Sequence, residues 1–388
     1  MDCLSIEQAV AKFRTLLKEQ QLRARQIQLR NQDLDFAALR CIRIAMVGGD
    51  GIGPALLQHA GRVLQTLLRK EISAGNIELV EVGGLTLENR LECGCSVPEA
   101  VLEQIQSCPV LLKGPTATPQ VGQGVKNLES ANVTLRRELD LFANVRPISL
   151  PEEGIDWCFF RENTEGAYVL GSQGLLLEGA EPGAESAFDF AVTTRPGVER
   201  IARSAMQYAR NHGKKRVSVV TKANIIKSGD GCFLQICKEI AQREFPELEL
   251  DEWYVDIMAA NLVDTEQRKK FEVFILPNLY GDILTDEAAQ IQGGLGTAGS
   301  ANIGACHAMF EPVHGTAPRL IAEKRLPYVD PRSILKACSL MLAHIGYGDK
   351  AQLLDQGVRK AGQRFPVNGF QNGAKTKDFM AELLQNIA

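Results

Sequence analysis

The sequence predicts an α/β fold built on a parallel, doubly wound sheet, and three observations carry that expectation. Short apolar runs alternate with amphipathic stretches from Cys41 onward, the pattern of strands joined by crossover helices. Glycine and proline mark the switches, as in VGGDGIGP at 47–54, where Pro54 suits the first turn of a helix. At 388 residues, 45% hydrophobic and 23% charged, the chain is long enough for two domains or one large one without disulfide support.

The elements follow in order. Between Ser5 and Leu29, Ile6, Val10, Phe13, Leu16 and Leu17 recur at helical spacing before Gln and Arg take over. This reads as an amphipathic helix and then a polar one, in an extension at 1–40 that serves as a surface-packed helix or an assembly contact. CIRIAMV is a strand running into glycines, and GPALLQHAGRVLQTLL is the helix that follows. IELVEVG and VLLKGP are strands flanking a helix near 98–106. FANVRPI, DWCFFREN, RVSVVTK and EVFILPN are further strands, and SGDGCFLQICKEIAQREF is a helix. ILKACSLMLAHIGY and KTKDFMAELLQNI close the chain as helices, while LGSQGLLLEGAEPGAE at 170–185 reads as an exposed arm.

The net charge of −4 argues against nucleic acid or an anionic membrane as partner. No stretch approaches the roughly 20 apolar residues of a membrane span. MDCLSIEQAVAKF lacks an apolar leader, and Glu7 and Glu19 are out of place in an organelle transit peptide, so a cytoplasmic location is expected. Ten scattered cysteines fit reduced thiols. Cys93 and Cys95 form a C-x-C pair, a weak pointer to metal without a second pair.

The most chemically informative segment is NLYGDILTDEAAQ at 278–290. If it is helical from Gly281, Asp282 and Asp286 leave one face about a turn apart. Such carboxylates repel unless a cation lies between them; the plainer reading is two acids favoured by a helix N-terminus. Arg136, Arg146 and Arg161 stand near element ends, and guanidinium forks clamp carboxylates, although single arginines are more often in surface salt bridges. Gly48, Gly49, Gly51 and Gly53 do not fit G-x-G-x-x-G, and no acid follows about 20 residues on. A standard Rossmann fold is therefore not expected, and a tight strand-to-helix turn is the simpler reading of the glycines.

Seven motifs in order, GDGIGP, KGPTATP, SANVTLRRELDLFANVRP, FRENTEGAY, VVTKANIIK, NLYGDILTDEAAQ and FEPVHGTAP, resemble the β-decarboxylating dehydrogenases, the isocitrate and isopropylmalate dehydrogenase family. The resemblance runs from about Ile42 to the C-terminus. It implies an isocitrate/isopropylmalate dehydrogenase-like fold of two α/β domains: a large one from 41–141 plus 293–388, and a small one at 142–292. A clasp at about 166–194 would be exchanged in a homodimer or higher homo-oligomer with shared active sites. The resemblance also assigns roles. Arg136, Arg146 and Arg161, with Ser130, Asn132 and Asn224, would hold a small tricarboxylate. Asp282 and Asp286, with Asp256 from the neighbouring subunit, would bind Mg²⁺ or Mn²⁺. Lys222, with a depressed pKa, would take the hydroxyl proton and Tyr168 would protonate the enol carbon.

Ser130 and Asn132 match the Ser-x-Asn of the isocitrate branch. The implied reaction is oxidative decarboxylation of isocitrate to 2-oxoglutarate; a longer loop at 118–130 keeps homoisocitrate or 3-isopropylmalate open as alternatives, as is a regulatory subunit. Lys113, Thr118, His314, Gly315, Thr316, Ala317, Arg319 and Asp330 would contact the nicotinamide cofactor. Arg319 stands where NAD enzymes usually carry an acid and favours NADP, whereas Asp330 and the missing Tyr after Arg319 depart from the NADP pattern, so NAD or NADP is expected.

Overall fold

Strand-forming segments recur along the chain as β1 (Ile42–Val47), β2 (Ile77–Glu81), β3 (Val110–Lys113), β4 (Ala143–Leu150), β5 (Ile155–Glu162), β6 (Leu175–Leu177), β7 (Ser186–Phe188), β8 (Arg216–Thr221), β9 (Glu249–Tyr254), β10 (Val273–Leu276), β11 (Gly299–Ile303) and β12 (Ala308–Pro312). The computed structural model describes residues 3–29, 34–119, 128–171, 173–181, 183–294 and 298–388. The chain divides into two units. One gathers residues 1–32, 142–144 and 149–287; the other gathers 33–141, 145–148 and 288–388, so the residues of β4 are shared between them.

In the unit made from both chain ends, the strand order is β2-β1-β3-β12-β11. β1 pairs in parallel with β2 and β3, and β3 with β12. The helix Gly53–Leu67 opens with Pro54, and Leu56, Leu64 and Ala60 are fully buried among Ile44, Leu112 and Phe310. The helices Arg332–His344 and Thr376–Ile387 bury Leu335, Met341, Phe379 and Leu383 in the same cluster. Burying each such side chain removes about 1.5–3 kcal/mol of apolar exposure.

The other unit has the parallel order β5-β10-β8-β9. Phe159 of β5 stacks on Phe274 of β10 at 4.2 Å, with Trp157 edge-on to both. The helix Arg195–Asn211 starts on Thr194, whose hydroxyl accepts the Gly197 N–H, and buries Val198, Ile201, Ala205 and Met206. β6 and β7 form an antiparallel hairpin within the segment expected to be a clasp.

Four expectations are corrected. Residues Ile6–Leu29 form one continuous helix instead of two; no Gly or Pro interrupts them. The sheet is not wholly parallel, because β11 runs antiparallel to β12. Only four residues join them, closed by the Gly304 N–H on the His307 carbonyl at 2.8 Å, too few for a crossover. The helix under the paired aspartates begins at Asn278, not Gly281. Cys93 and Cys95 are joined as a disulfide instead of being free thiols, because the left-handed turn at Gly94 brings their Cα atoms to 5.5 Å.

Candidate active site

The residues singled out by sequence fall into two groups, one in each unit. The first is built on the helix Asn278–Gln292, which puts Asp282 and Asp286 one turn apart. Arg161 ends β5 and is almost wholly buried. Its Nε and Nη2 donate to Asn278 Oδ1 at 2.9 and 2.7 Å, and its Nη1 donates to Asp282 Oδ1. The Tyr168 hydroxyl donates to Asp282 Oδ2 at 2.8 Å, and the Arg161 guanidinium lies 5.4 Å from the Tyr168 ring centroid. Gly281 makes this possible: a Cβ there would meet the Arg161 side chain at 2.5 Å. Asp286 is exposed.

Lys222 follows β8, its backbone N–H held by Asp230 at 2.6 Å. Its ammonium donates to Asp256 Oδ1 at 2.5 Å and lies 5.9 Å from the Tyr254 ring centroid. Asp256 opens the helix Val255–Val263; the hydrogen bond from Lys222 holds its carboxyl below the usual carboxylate range. Asn224 is exposed in the turn beyond Lys222. Among the described residues of the single chain, no three His, Cys, Asp or Glu side chains gather as a metal site. Asp282 and Asp286 nevertheless offer the carboxylate oxygens that a hard divalent ion takes, and the Asp282 oxygens already accept from a cation and a phenol. The donor chemistry fits Mg²⁺ or Mn²⁺.

The second group surrounds Glu311 on β12. Lys113 Nζ lies 3.2 Å from Glu311 Oε2, Arg136 Nη2 lies 3.3 Å from Oε1, and Asn302 Nδ2 donates to Oε1 at 3.0 Å. Burial would raise the Glu311 carboxyl, but Lys113, Arg136 and Asn302 outweigh it and hold it at about 2. Burial acts the other way on Lys113, pulling its ammonium below the usual lysine value against the pull of Glu311. The Arg136 Nε is buried without a hydrogen-bond partner. Arg146, on β4, is also buried.

Ser130 precedes the helix Ala131–Glu138, and its side chain makes no capping bond. Asn132 Oδ1 accepts from the Thr116 hydroxyl at 3.2 Å. Thr118 is exposed. Most of the loop at 118–130, namely 120–127, lies outside the described residues.

The glycine turn after β1 packs tightly instead of cradling an anion: Gly51 has φ +62°, and a Cβ there would meet the Thr316 carbonyl oxygen at 2.2 Å. His314 Nδ1 lies 2.9 Å from the Gly315 carbonyl, while its Nε2 is buried and unpartnered. Burial lowers the His314 pKa, so at neutral pH the ring is uncharged and Nε2 is an open acceptor when Nδ1 carries the proton. Ala317 holds a left-handed φ of +48° at the start of the helix Pro318–Ala322. The Arg319 side chain is 88% exposed, with only a 3.7 Å approach to Glu323. Asp330 is taken up by Arg332, accepting from its Nε and Nη2. An exposed guanidinium and an open imidazole acceptor fit a nucleotide ligand.

Sequence reasoning missed three members of these groups. Glu311 and Asn278 lie inside quoted motifs but were not singled out. Arg90 carried no signal: it is fully buried, and it donates to the carbonyls of Ser96, Ala117 and Glu129 at 2.6, 2.6 and 3.1 Å.

Comparison with known proteins agrees with this geometry. Residues 43–386 match the family model described as isocitrate/isopropylmalate dehydrogenase. The chain is 35% identical to the homoisocitrate dehydrogenase of Methanocaldococcus jannaschii, covering 89% of this chain and 98% of that protein. It is 36% identical to the NADP isocitrate dehydrogenase of Rickettsia felis, covering 89% and 69%. A crystal structure of isocitrate dehydrogenase from Methylococcus capsulatus superposes with a TM-score of 0.77 at 35% identity, covering 89% of this chain and 99% of that one. With its ordered motifs, its α/β units and its clustered arginines and aspartates, the chain belongs to the isocitrate/isopropylmalate dehydrogenase family.

Proposed function

We propose that the protein oxidatively decarboxylates isocitrate to 2-oxoglutarate and CO₂, with NADP as the favoured acceptor. The observation that carries this reading is the Arg161–Asp282–Tyr168 cluster, with Asp286 one turn along the same helix. A divalent ion held by Asp282 and Asp286 would acidify the substrate hydroxyl and offset negative charge on the product side. NAD(P)⁺ would accept the hydride.

The residues of the chain do the rest. Arg136, Arg146 and Arg161 bind substrate carboxylates. Ser130, whose hydroxyl caps no helix, and Asn132 address the distal carboxylate. Lys222 receives the hydroxyl proton, and Asp256 beside it stabilises the ammonium that results. Tyr168, held on Asp282, returns a proton to carbon. Arg319 meets the 2′-phosphate of NADP, with His314, Thr316 and Ala317 along the adenosine.

The working form is proposed to be a homodimer. Tyr254, Ile257, Val263, Leu279 and Ile283 are all exposed on the unit that carries Lys222 and Asp282, an apolar display that suits a second copy of the chain. Asp256 would then serve the partner subunit's aspartates, and Lys222, 2.5 Å from it, would travel with it.

Homoisocitrate is the second reading, favoured by the 35% identity to a homoisocitrate dehydrogenase. A regulatory subunit is disfavoured because Lys222, Tyr168, Asp282 and Asp286 are all present.

The test is absorbance at the reduced-nicotinamide band with Mg²⁺, crossing isocitrate, homoisocitrate and 3-isopropylmalate with NAD and NADP. Turnover of isocitrate with NADP is expected. Turnover of homoisocitrate alone would install the second reading, and silence with all three would overturn both.

A further inference from the structure

We propose that Arg23, on the helix that precedes the family-matched region, is a positioning residue that holds the segment carrying Arg161 and Tyr168. The inference rests on the function proposed above. Glu162 and Glu165 lie within that segment, both almost fully buried, and two buried carboxylates so close repel each other. Arg23 Nη1 donates to Glu165 Oε1 at 3.0 Å, and its Nη2 donates to the Thr164 hydroxyl at 3.0 Å. Arg200 Nη2 donates to the same hydroxyl at 2.8 Å. Glu162 in turn accepts the backbone N–H groups of Thr164 at 3.0 Å and Glu165 at 2.5 Å.

The link runs on from Glu165 to the site. Its carbonyl accepts from Asn278 Nδ2 at 3.0 Å, and Asn278 Oδ1 accepts from Arg161, which grips Asp282. The helix that bears Arg23 is itself anchored. Lys12 donates to the Gly174 carbonyl at 3.0 Å, Phe13 stacks on Phe190 at 4.9 Å, and Leu4 bridges to Leu177 of the β6–β7 hairpin. The family model begins at residue 43, so Arg23 lies outside what relatives in general supply. Without its guanidinium, Glu165 loses the cation that faces it, and repulsion from Glu162 loosens the turn that aims Arg161 and Tyr168.

The experiment compares wild type with Arg23→Gln, Arg23→Lys and, as a control on the same helix, the exposed Arg25→Ala. Hydrogen exchange at the Thr164 and Glu165 amides is read without substrate; kcat and KM are read with the substrate that wild type turns over. Arg23→Gln should raise exchange at these amides by about tenfold or more and lower kcat by about tenfold with a smaller change in KM. Arg23→Lys should recover most of both effects, and Arg25→Ala should change neither. Unchanged exchange in Arg23→Gln, or equal loosening by Arg25→Ala, overturns the assignment. An inactive wild type would overturn the proposed reaction instead, and the exchange result would still decide the role of Arg23.

Discussion

Lys222 shows at the residue scale how far a spacing argument reaches. The proposed proton transfer needs a single amine, so Lys222→Met should leave the melting temperature within a few degrees while lowering kcat by about 10²–10⁴. Calorimetry and steady-state kinetics check both halves, and turnover within tenfold of wild type would remove Lys222 from the mechanism. Arg319 offers a second test. With its side chain 88% exposed, Arg319→Asp should cost almost no stability and should shift the NADP-to-NAD ratio of kcat/KM toward NAD by about tenfold or more. An unmoved ratio would mean that Arg319 does not read the 2′-phosphate. The identity of such residues was legible in the sequence, but their partners were not. Nothing in the spacing foretold that Tyr168 would donate to Asp282, 114 positions away, nor that Glu311 would receive Lys113 and Arg136 together. Long-range pairing is set by strand order, which local periodicity does not encode.

At the scale of elements, the apolar strands β1, β3, β5, β8 and β10 were readable because buried parallel strands are continuous hydrophobic runs. β9 (ELDEWY) and β11 (GSANI) were missed for the converse reason: one is mostly charged, the other small and polar. The helix at Arg195–Asn211 was also overlooked, although Thr194-Arg195-Pro196 is a readable start signal. The turn after β5 has a consequence for stability. Burial, then the neighbouring Glu165 carboxylate, raises the Glu162 carboxyl to about 7 against the opposing pull of Arg200 and Arg23. A carboxyl raised on folding contributes stability that is fully present below its unfolded pKa, about 4.3, and is lost as pH rises through about 7. Glu162→Gln should therefore flatten the decline of the wild-type melting temperature between pH 5 and 7, a slope of at most about 1.4 kcal/mol per pH unit. Parallel curves for the two proteins would show that Glu162 is ionised across that range.

For the whole molecule, the exposed apolar side chains decide the assembly prediction. Ile283 is 58% exposed on the helix that carries Asp282. If that face meets a second copy of the chain, Ile283→Glu should convert a dimer into a monomer of 42.5 kDa by light scattering and remove activity with it. A variant that stays dimeric would place the interface elsewhere. Sequence foresaw an oligomer by resemblance alone; the apolar residues that would form its interface are scattered from Tyr254 to Ile283 and read in the sequence as ordinary core positions.

The interleaved path of the chain also sets an order of events at the ribosome. The unit spanning 149–287 has all its residues once position 287 is made, whereas β3 must wait for β12, its parallel neighbour, roughly 200 residues later. At ~5–20 residues per second, that leaves one edge of β3 uncovered for roughly 10–40 s of synthesis. VLLK, fully buried in the finished protein, is through that interval an open strand edge on a nascent chain. Slow translation between residues 113 and 312 should therefore favour aggregation of this protein more than slow translation after residue 312.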